Sequence, residues 1–193
     1  MKNCILAGVG GQGTVLASKL IAQCAMERGE FVRTAETIGM AQRGGCVVSH
    51  VRVGKDAYSP LLPLGSADLL IAFEPAEAVR TLPYLKKGGT VVVSTSPVQP
   101  VTVSLSGKSY DASAMLAYLR QSCEKVVGVD TAGICKECGS QKVANVALLG
   151  AAAASGALGV TPEELESAIT RRLPEKFLEM NRRALYAGAK AAE

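Results

Sequence analysis

The chain has 193 residues and a mass of 20.0 kDa, with 48% hydrophobic and 20% charged residues, the composition of an ordinary globular protein. A chain of this size buries about 70% of its surface on folding, so it builds one core without disulfides, and we expect a single domain over residues 1–193. The formal net charge is only +4, without a dense basic run or any Trp, which argues against a nucleic-acid-binding surface.

The first predicted elements are a strand, a glycine-rich turn and a helix. Asn3 to Ala7 forms a short apolar strand, Gly8 to Gly13 turns the chain, and Thr14 to Met26 places apolar residues on one helical face. Phe31 to Thr34 is predicted as the second strand. These segments together have the size of a β–α–β unit.

The next predicted strand has one exposed face. Cys46 to Val53 alternates along its length, as a strand does when one side meets solvent. The connection that follows, Gly54 to Ser66, has no helical period, so no crossover helix returns the chain to a parallel neighbour. We therefore predict an antiparallel or edge strand here.

The middle of the chain alternates strands and helices. Leu69 to Phe73 is predicted as a strand buried on both faces, and a helix follows from Pro75 to about Leu85, which Gly88 and Gly89 end. The remaining segments are predicted as strands at Thr90 to Ser94, Val101 to Leu105 and Lys125 to Val129, a helix from Asp111 to about Cys123, and an irregular loop from Asp130 to Gln141.

The C-terminal third is predicted to be helical. Lys142 to Leu158 contains small residues that allow close packing. Thr161 to Glu164 combines an N-cap, a proline at the first helical position and a capping-box glutamate. A final helix is predicted from about Glu175 to Ala189.

The strongest local motif is the glycine-rich turn, whose residues Gly8, Gly10, Gly11, Gln12 and Gly13 fit G-x-G-x-x-G. Such glycines let a phosphate approach the N-terminus of the following helix, where free N–H groups favour an anion. A dinucleotide site adds an acidic residue after the second strand, and Glu36 lies 23 residues after the turn. Either the glycines contact a phosphate or cofactor, or they only let the first helix pack tightly on the sheet.

A second candidate is the arginine loop, Glu36 to Gly45, between two predicted strands. Its residues Gln42, Arg43, Gly44 and Gly45 place a guanidinium beside two glycines, whose backbone N–H groups are open to a carboxylate or phosphate. The alternative is a surface loop with a solvated arginine.

Other sequence features argue against several classes of site. Cys135 and Cys138 have C-x-x-C spacing, but no second pair exists and His50 is the sole histidine, so we predict no metal site and reduced, incidental thiols. A single histidine beside no obvious nucleophile leaves the chain alone under-equipped as an enzyme. The most apolar stretch, Val143 to Leu158, is too short for a membrane span, and we read no secretory signal at the N-terminus, so we expect a cytoplasmic protein that contacts no membrane.

In their order along residues 1–188, these motifs resemble the gamma-type subunits of 2-oxoacid:ferredoxin oxidoreductases, and within them most closely the small subunits of enzymes acting on indolepyruvate. The segments that carry the resemblance are the glycine-rich turn, the arginine loop, Ala67 to Pro75, Leu85 to Gly89, Asn145 with Leu149 and Gly150, and Asn181 with Gly188.

The resemblance implies an α/β fold, a Rossmann-like three-layer domain with a mostly parallel sheet and a helical C-terminal region. It implies a small subunit that is inactive alone and completes an enzyme that oxidatively decarboxylates an arylpyruvate, or another 2-oxoacid, to an acyl-coenzyme A and passes electrons to ferredoxin. Thiamine diphosphate and iron–sulfur clusters would lie on the large partner subunit, so this chain alone binds no cofactor.

Carried over to this sequence, the resemblance points both loops at the partner's cofactor region or at an incoming anionic acyl acceptor. The candidate residues are Gly8, Gly10, Gly11, Gln12, Gly13, Gln42, Arg43, Gly44 and Gly45. No catalytic residue is assigned. The alternative hypothesis is a free-standing NAD(P)- or flavin-binding oxidoreductase or sensor, with Glu36 pointing into the crevice.

Overall fold

A six-stranded sheet runs through the described part of the molecule. The computed structural model describes residues 2–38, 44–55, 57–98 and 110–192. The strands are β1 (Cys4–Val9), β2 (Val32–Ile38), β3 (Cys46–Val53), β4 (Ala67–Ala72), β5 (Leu85–Ser94) and β6 (Lys125–Val129). Their order across the sheet is β2-β3-β1-β4-β5-β6.

Helices cover both faces of this sheet. They are α1 (Thr14–Glu27), α2 (Pro75–Thr81), α3 (Ala112–Ser122), α4 (Thr131–Cys138), α5 (Ala144–Ala154), α6 (Pro162–Arg172) and α7 (Leu178–Lys190). Short 3-10 turns occupy Leu82–Tyr84, Gln141–Val143 and Glu175–Phe177. None of the helices in the described ranges is long and apolar enough to cross a membrane.

The predicted mostly parallel sheet is confirmed. Strands β1, β4, β5 and β6 pair in parallel, whereas β3 pairs antiparallel with both β1 and β2. The prediction of an antiparallel or edge strand is therefore confirmed by the antiparallel alternative, and β2, not β3, lies at the edge of the sheet. The first two strands are consequently not neighbours, since β3 is inserted between them.

The three-layer arrangement follows from where the apolar side chains point. Buried residues of α1, α4, α5, α6 and α7 form one core with one face of the sheet, represented by Leu20, Leu148 and Leu165. A smaller core on the other face contains Ala78 of α2 and Leu119 of α3. Because successive strand residues point to opposite faces, the apolar central strands contribute to both cores.

Two local predictions are wrong. Gly88 and Gly89 do not end a helix, because α2 already stops at Thr81 and both glycines lie inside β5. There Gly88 has φ of +74°, and the register between β4 and β5 shifts across this segment. The predicted irregular loop from Asp130 to Gln141 contains α4.

The predicted N-terminal caps of two helices are confirmed. Asp111 caps α3 by accepting a hydrogen bond from the Ala114 amide at 3.0 Å. The capping box of α6 is complete, since the Glu164 amide donates to Thr161 Oγ1 at 3.3 Å and the Thr161 amide donates to Glu164 Oε2 at 2.7 Å. The predicted strand Val101 to Leu105 lies outside the described residues.

Candidate functional site

The candidate site lies where the carboxyl ends of the parallel strands meet at one edge of the sheet. Strand β1 continues into α1 on one face and β4 into α2 on the other, so the chain diverges between them, which is where open α/β sheets hold ligands. A cleft of about 330 Å³ opens beside this point. Its walls include Gly11, Gln12, Phe73, Ser94, Thr131 and Leu148.

The glycine-rich turn is shaped by close packing at both of its ends. A Cβ at Gly8 would lie 2.8 Å from Gln12 Oε1 and 2.9 Å from Phe73 Cβ. A Cβ at Gly13, whose φ is +83°, would lie 2.6 Å from Asn145 Nδ2. These two glycines fit the packing interpretation of the motif, because any side chain would displace a neighbour.

The middle of the turn is open. Gly11 has φ of +104°, is exposed, and has no atom within 4 Å of where its Cβ would be. The positive φ itself accounts for a glycine here. This leaves room beside Gly11 for a ligand or a partner subunit.

Gln12 bridges the two central strands at their carboxyl ends. Its Oε1 accepts a hydrogen bond from the Val9 amide at 2.7 Å. Its Nε2 donates to the Phe73 carbonyl at 3.0 Å. The side chain thus spans the gap between β1 and the residue that follows β4.

The two sequence-predicted loops adjoin. The Gly10 amide donates to the Gly45 carbonyl at 2.8 Å, and the Gly44 amide donates to the Gly10 carbonyl at 3.4 Å. Gly44 has φ of +75°, a conformation that favours glycine. The other two candidates of this loop, Gln42 and Arg43, lie outside the described residues.

A hydroxyl cluster that the sequence did not predict lines the same cleft on the side formed by β5 and α4. Ser94 Oγ and Thr131 Oγ1 are 2.7 Å apart and both side chains are buried. Ser96 joins them, because its amide donates to Ser94 Oγ at 3.2 Å and its own Oγ accepts from the Ala132 amide at 3.0 Å. The available signal was a polar run directly after each of two apolar strands.

Glu74 is a second missed feature of this edge. It follows β4, is 1% exposed, and caps α2 through Oε2, which accepts from the Ala76 and Glu77 amides at 2.7 and 3.1 Å. Burial raises the pKa of its carboxyl group, an effect that hydrogen bonds from backbone amides partly offset. Its Oε1 has no hydrogen-bond partner of normal geometry within the described ranges.

Glu36 does not occupy the position that a dinucleotide site requires. It is exposed on β2, and its Oε1 accepts from Ser18 Oγ of α1 at 3.4 Å. Because β3 separates β2 from β1, the two strands lie about 10 Å apart instead of about 5 Å. The geometry therefore does not support the ribose-binding role that the spacing suggested.

The cysteine side chains pack in or against the two cores or form hydrogen bonds. All six are free, and burial raises the pKa of the Cys135 thiol, which lies on α4 one turn from Cys138. Cys46 donates its thiol hydrogen to Glu77 Oε1 at 3.1 Å. Over the residues that the structure describes, no three His, Cys, Asp or Glu side chains converge as metal ligands.

Comparisons with known proteins agree with this architecture. A family model described as pyruvate ferredoxin/flavodoxin oxidoreductase matches residues 3–191. The indolepyruvate oxidoreductase subunit IorB of Archaeoglobus fulgidus is 38% identical over 187 residues, covering 96% of this chain and 92% of that protein. The subunit of the same name from Thermococcus kodakarensis is 36% identical over 196 residues, covering 99% and 96%. The gamma subunit of a keto/oxoacid ferredoxin oxidoreductase from Geobacter sulfurreducens superposes with a TM-score of 0.71 at 26% identity, covering 100% of this chain and 98% of that one.

Proposed function

Because this chain belongs to the pyruvate ferredoxin/flavodoxin oxidoreductase family as a small subunit of a 2-oxoacid:ferredoxin oxidoreductase, we propose that it completes an enzyme acting on indolepyruvate or another arylpyruvate. Membership confirms the resemblance inferred from the motifs. The substrate class is supported by the curated relatives, which are named as indolepyruvate oxidoreductase subunits over nearly their full length.

The proposed reaction converts the 2-oxoacid and coenzyme A into carbon dioxide, an acyl-coenzyme A and a proton, with two electrons leaving through iron–sulfur clusters to ferredoxin. Thiamine diphosphate and these clusters belong to the large partner subunit in this proposal. This assignment is supported by the placement of the cysteines: Cys135 and Cys138 share α4 and pack with the core, and the other four lie on different elements. We place the assembled enzyme in the cytoplasm, in keeping with six unpaired thiols.

The single observation that carries the site assignment is the backbone pairing of Gly10 with Gly44 and Gly45. It brings the glycine-rich turn and the arginine loop together at the sheet edge that borders the cleft. Glycines Gly8 and Gly13 shape this edge, while Gly10, Gly11, Gly44 and Gly45 lie along it. We propose that this edge binds the partner's cofactor region or the anionic end of the acyl acceptor, and we include Gln42 and Arg43, which lie outside the described residues, in the proposed site.

The test is reconstitution of the enzyme from its two subunits. The chain is expressed with and without a large subunit of the same family, and reduction of ferredoxin by indolepyruvate is followed in the presence of coenzyme A and thiamine diphosphate. We expect activity only from the pair. If neither preparation is active and the lone chain binds NAD(H) or a flavin in a titration, the free-standing alternative is favoured instead.

The arginine loop is tested within the same pair by Arg43→Ala. We expect the complex to assemble normally while turnover, or the affinity for coenzyme A, falls about tenfold or more, because a charge-assisted contact to an anion is lost. The matched control is Arg172→Ala, which removes an exposed arginine from the end of α6. Unchanged kinetics in Arg43→Ala would remove this loop from the proposed site.

A further inference from the structure

We propose that Gln12 is a positioning residue, whose carboxamide fills the glycine-rich turn and fixes it to the end of β4. The inference rests on the proposed function only for the statement that the turn borders the acyl-acceptor site. The geometry of Gln12 itself is independent of that function.

Inside the turn, Gln12 Oε1 supplies a hydrogen-bond acceptor to the backbone. It accepts the Val9 amide hydrogen at 2.7 Å, while the Gln12 amide donates to the Val9 carbonyl at 3.1 Å. In a phosphate-binding turn such backbone N–H groups are left free for the ligand. Here the acceptor is supplied by the same chain.

The other end of the carboxamide closes the gap between the central strands. The Phe73 amide donates to the Ala7 carbonyl at 2.8 Å, which continues the parallel ladder one residue past β4. Gln12 Nε2 then donates to the Phe73 carbonyl at 3.0 Å. At neutral pH a carboxamide offers an acceptor for one strand and a donor for the other, whereas the carboxylate of a glutamate of the same length has no hydrogen to donate.

The neighbouring glycine is fitted to this side chain. A Cβ at Gly8 would stand 2.8 Å from Gln12 Oε1, so a larger residue would expel the carboxamide. On the far side of the turn, Asn145 Nδ2 donates to the Gly13 carbonyl at 3.3 Å. Two carboxamides therefore hold the turn, one from within and one from α5.

Fixing the turn also fixes the edge that Gly10 shares with the arginine loop. Gly10 lies between Val9, which Gln12 binds, and Gly11, which lines the cleft. Its backbone pairs with Gly44 and Gly45. Gln12 thus acts through the turn on the position of the second loop, and a ligand or partner meets the outer surface at Gly11 instead of the interior of the turn.

The experiment compares Gln12→Met, which keeps the length but loses both hydrogen bonds, with Gln12→Glu, which keeps the acceptor for Val9 and loses the donor for Phe73. The matched control is Gln23→Met in α1, because the half-buried Gln23 side chain donates to Glu27 Oε1 of the same helix at 2.9 Å, and neither residue belongs to the turn. Amide hydrogen exchange is measured in the full chain, and coenzyme A and 2-oxoacid kinetics are measured in the reconstituted pair.

For Gln12→Met we expect the Val9 and Gly10 amides to exchange about tenfold faster, the effect of losing a part-buried hydrogen bond. In the pair, we expect the KM for coenzyme A to rise about tenfold, while kcat and the KM for the 2-oxoacid change less than twofold. Gln12→Glu should leave Val9 protected but still raise the KM for coenzyme A. Gln23→Met should match the wild-type chain in every measurement.

Unchanged exchange at Val9 and Gly10 in both Gln12 variants would overturn the positioning role, whatever the kinetics. A lower melting temperature with an unaltered KM for coenzyme A would reduce Gln12 to a structural residue and would also overturn it. If the wild-type pair is inactive, the proposed function fails, and the exchange data still decide how Gln12 acts on the turn. Binding of NAD by the wild-type chain with perturbation of the Val9 and Gly10 amides would show a ligand inside the turn and contradict the inference.

Discussion

Gly150 of α5 and Gly188 of α7 lie at one helix crossing, each directly against a backbone carbonyl of the opposite helix. A Cβ at Gly150 would lie 1.9 Å from the Leu185 oxygen, and a Cβ at Gly188 would lie 1.9 Å from the Ala147 oxygen. Neither contact can be relieved by rotating a side chain. The two helices pack this closely only because both positions are glycine, and the sequence-predicted role of small residues in this region is confirmed.

Gly188→Ala should therefore destabilise the protein, although alanine has the higher helix propensity. Overpacking of this kind costs about 1–3 kcal/mol, and a backbone obstacle places the change at the upper end of that range. Urea unfolding followed by circular dichroism measures it. Lys190→Ala, an exposed change in the same helix, is the control, and equal stabilities for the two variants would refute the packing argument.

His50 gives a prediction for acid pH. It is 3% exposed, its Nδ1 accepts a hydrogen bond from the Leu62 amide at 3.2 Å, and burial lowers the pKa of its imidazole below the usual value near 6.5. Protonation would both charge a buried ring and remove the acceptor. Because the unfolded chain takes up the proton first, the contribution of His50 is fully present above about pH 6.5 and declines as the pH falls below it.

The measurement is the free energy of unfolding of the wild-type chain and of His50→Gln between pH 5 and pH 8. Glutamine retains an acceptor for the Leu62 amide but does not titrate in this range. We expect the wild-type chain to lose more stability than the variant on acidification. Parallel pH dependences would show that His50 does not contribute to the slope.

Local sequence signals predicted elements well where they act within a few residues. Asp111 and the Thr161 capping box each mark the start of a helix, and the continuous apolar run in β4 marks a buried strand. The helix α4 was missed because its Gly133 and two cysteines obscure the helical period, although Asp130 caps it and Gly139 ends it in the left-handed conformation.

The relationships that build the site are long-range and could not be predicted in this way. The glycine-rich turn and the arginine loop were identified from their local residue patterns, but their contact depends on β3 inserting between β1 and β2. The pairing of Ser94 with Thr131 likewise depends on β5 and β6 being neighbours. The periodicity of a single segment predicts neither the insertion of β3 between β1 and β2 nor the pairing of β5 with β6.

The contact between Arg28 and Glu164 yields a third prediction. Arg28 follows α1, and its guanidinium donates to Glu164 Oε1 at 2.7 Å and to the Gly159 carbonyl at 2.6 Å. Glu164 also completes the capping box of α6. Arg28→Ala should cost no more than about 1 kcal/mol, since the pair is partly exposed, whereas Glu164→Ala should cost about 1 kcal/mol more through loss of the cap.

Thermal or urea unfolding at low and high salt separates the two effects. The cost of Arg28→Ala should shrink in 1 M salt because the ion pair is screened, while the capping contribution of Glu164 should persist. Arg171→Ala, which removes the surface partner of Glu27, is the control for a simple exposed ion pair. Identical losses for Arg28→Ala and Glu164→Ala would show that the cap contributes nothing.

Glu74 gives the last prediction, because its carboxyl group is both a helix cap and a buried titratable group. Burial raises the pKa of Glu74, so the folded protein holds this proton more tightly than the unfolded chain does. The associated stability is present below the unfolded pKa of about 4.3 and is lost as the pH rises through the folded value.

Glu74→Gln keeps an acceptor for the Ala76 and Glu77 amides without the charge, so at pH 7 it should be at least as stable as the wild-type chain. Glu74→Ala, which loses the cap, should be less stable than Glu74→Gln by about 1 kcal/mol. Urea unfolding at pH 7 measures all three proteins, and a large loss of stability in Glu74→Gln would mean that the ionised carboxylate itself stabilises this edge of the sheet.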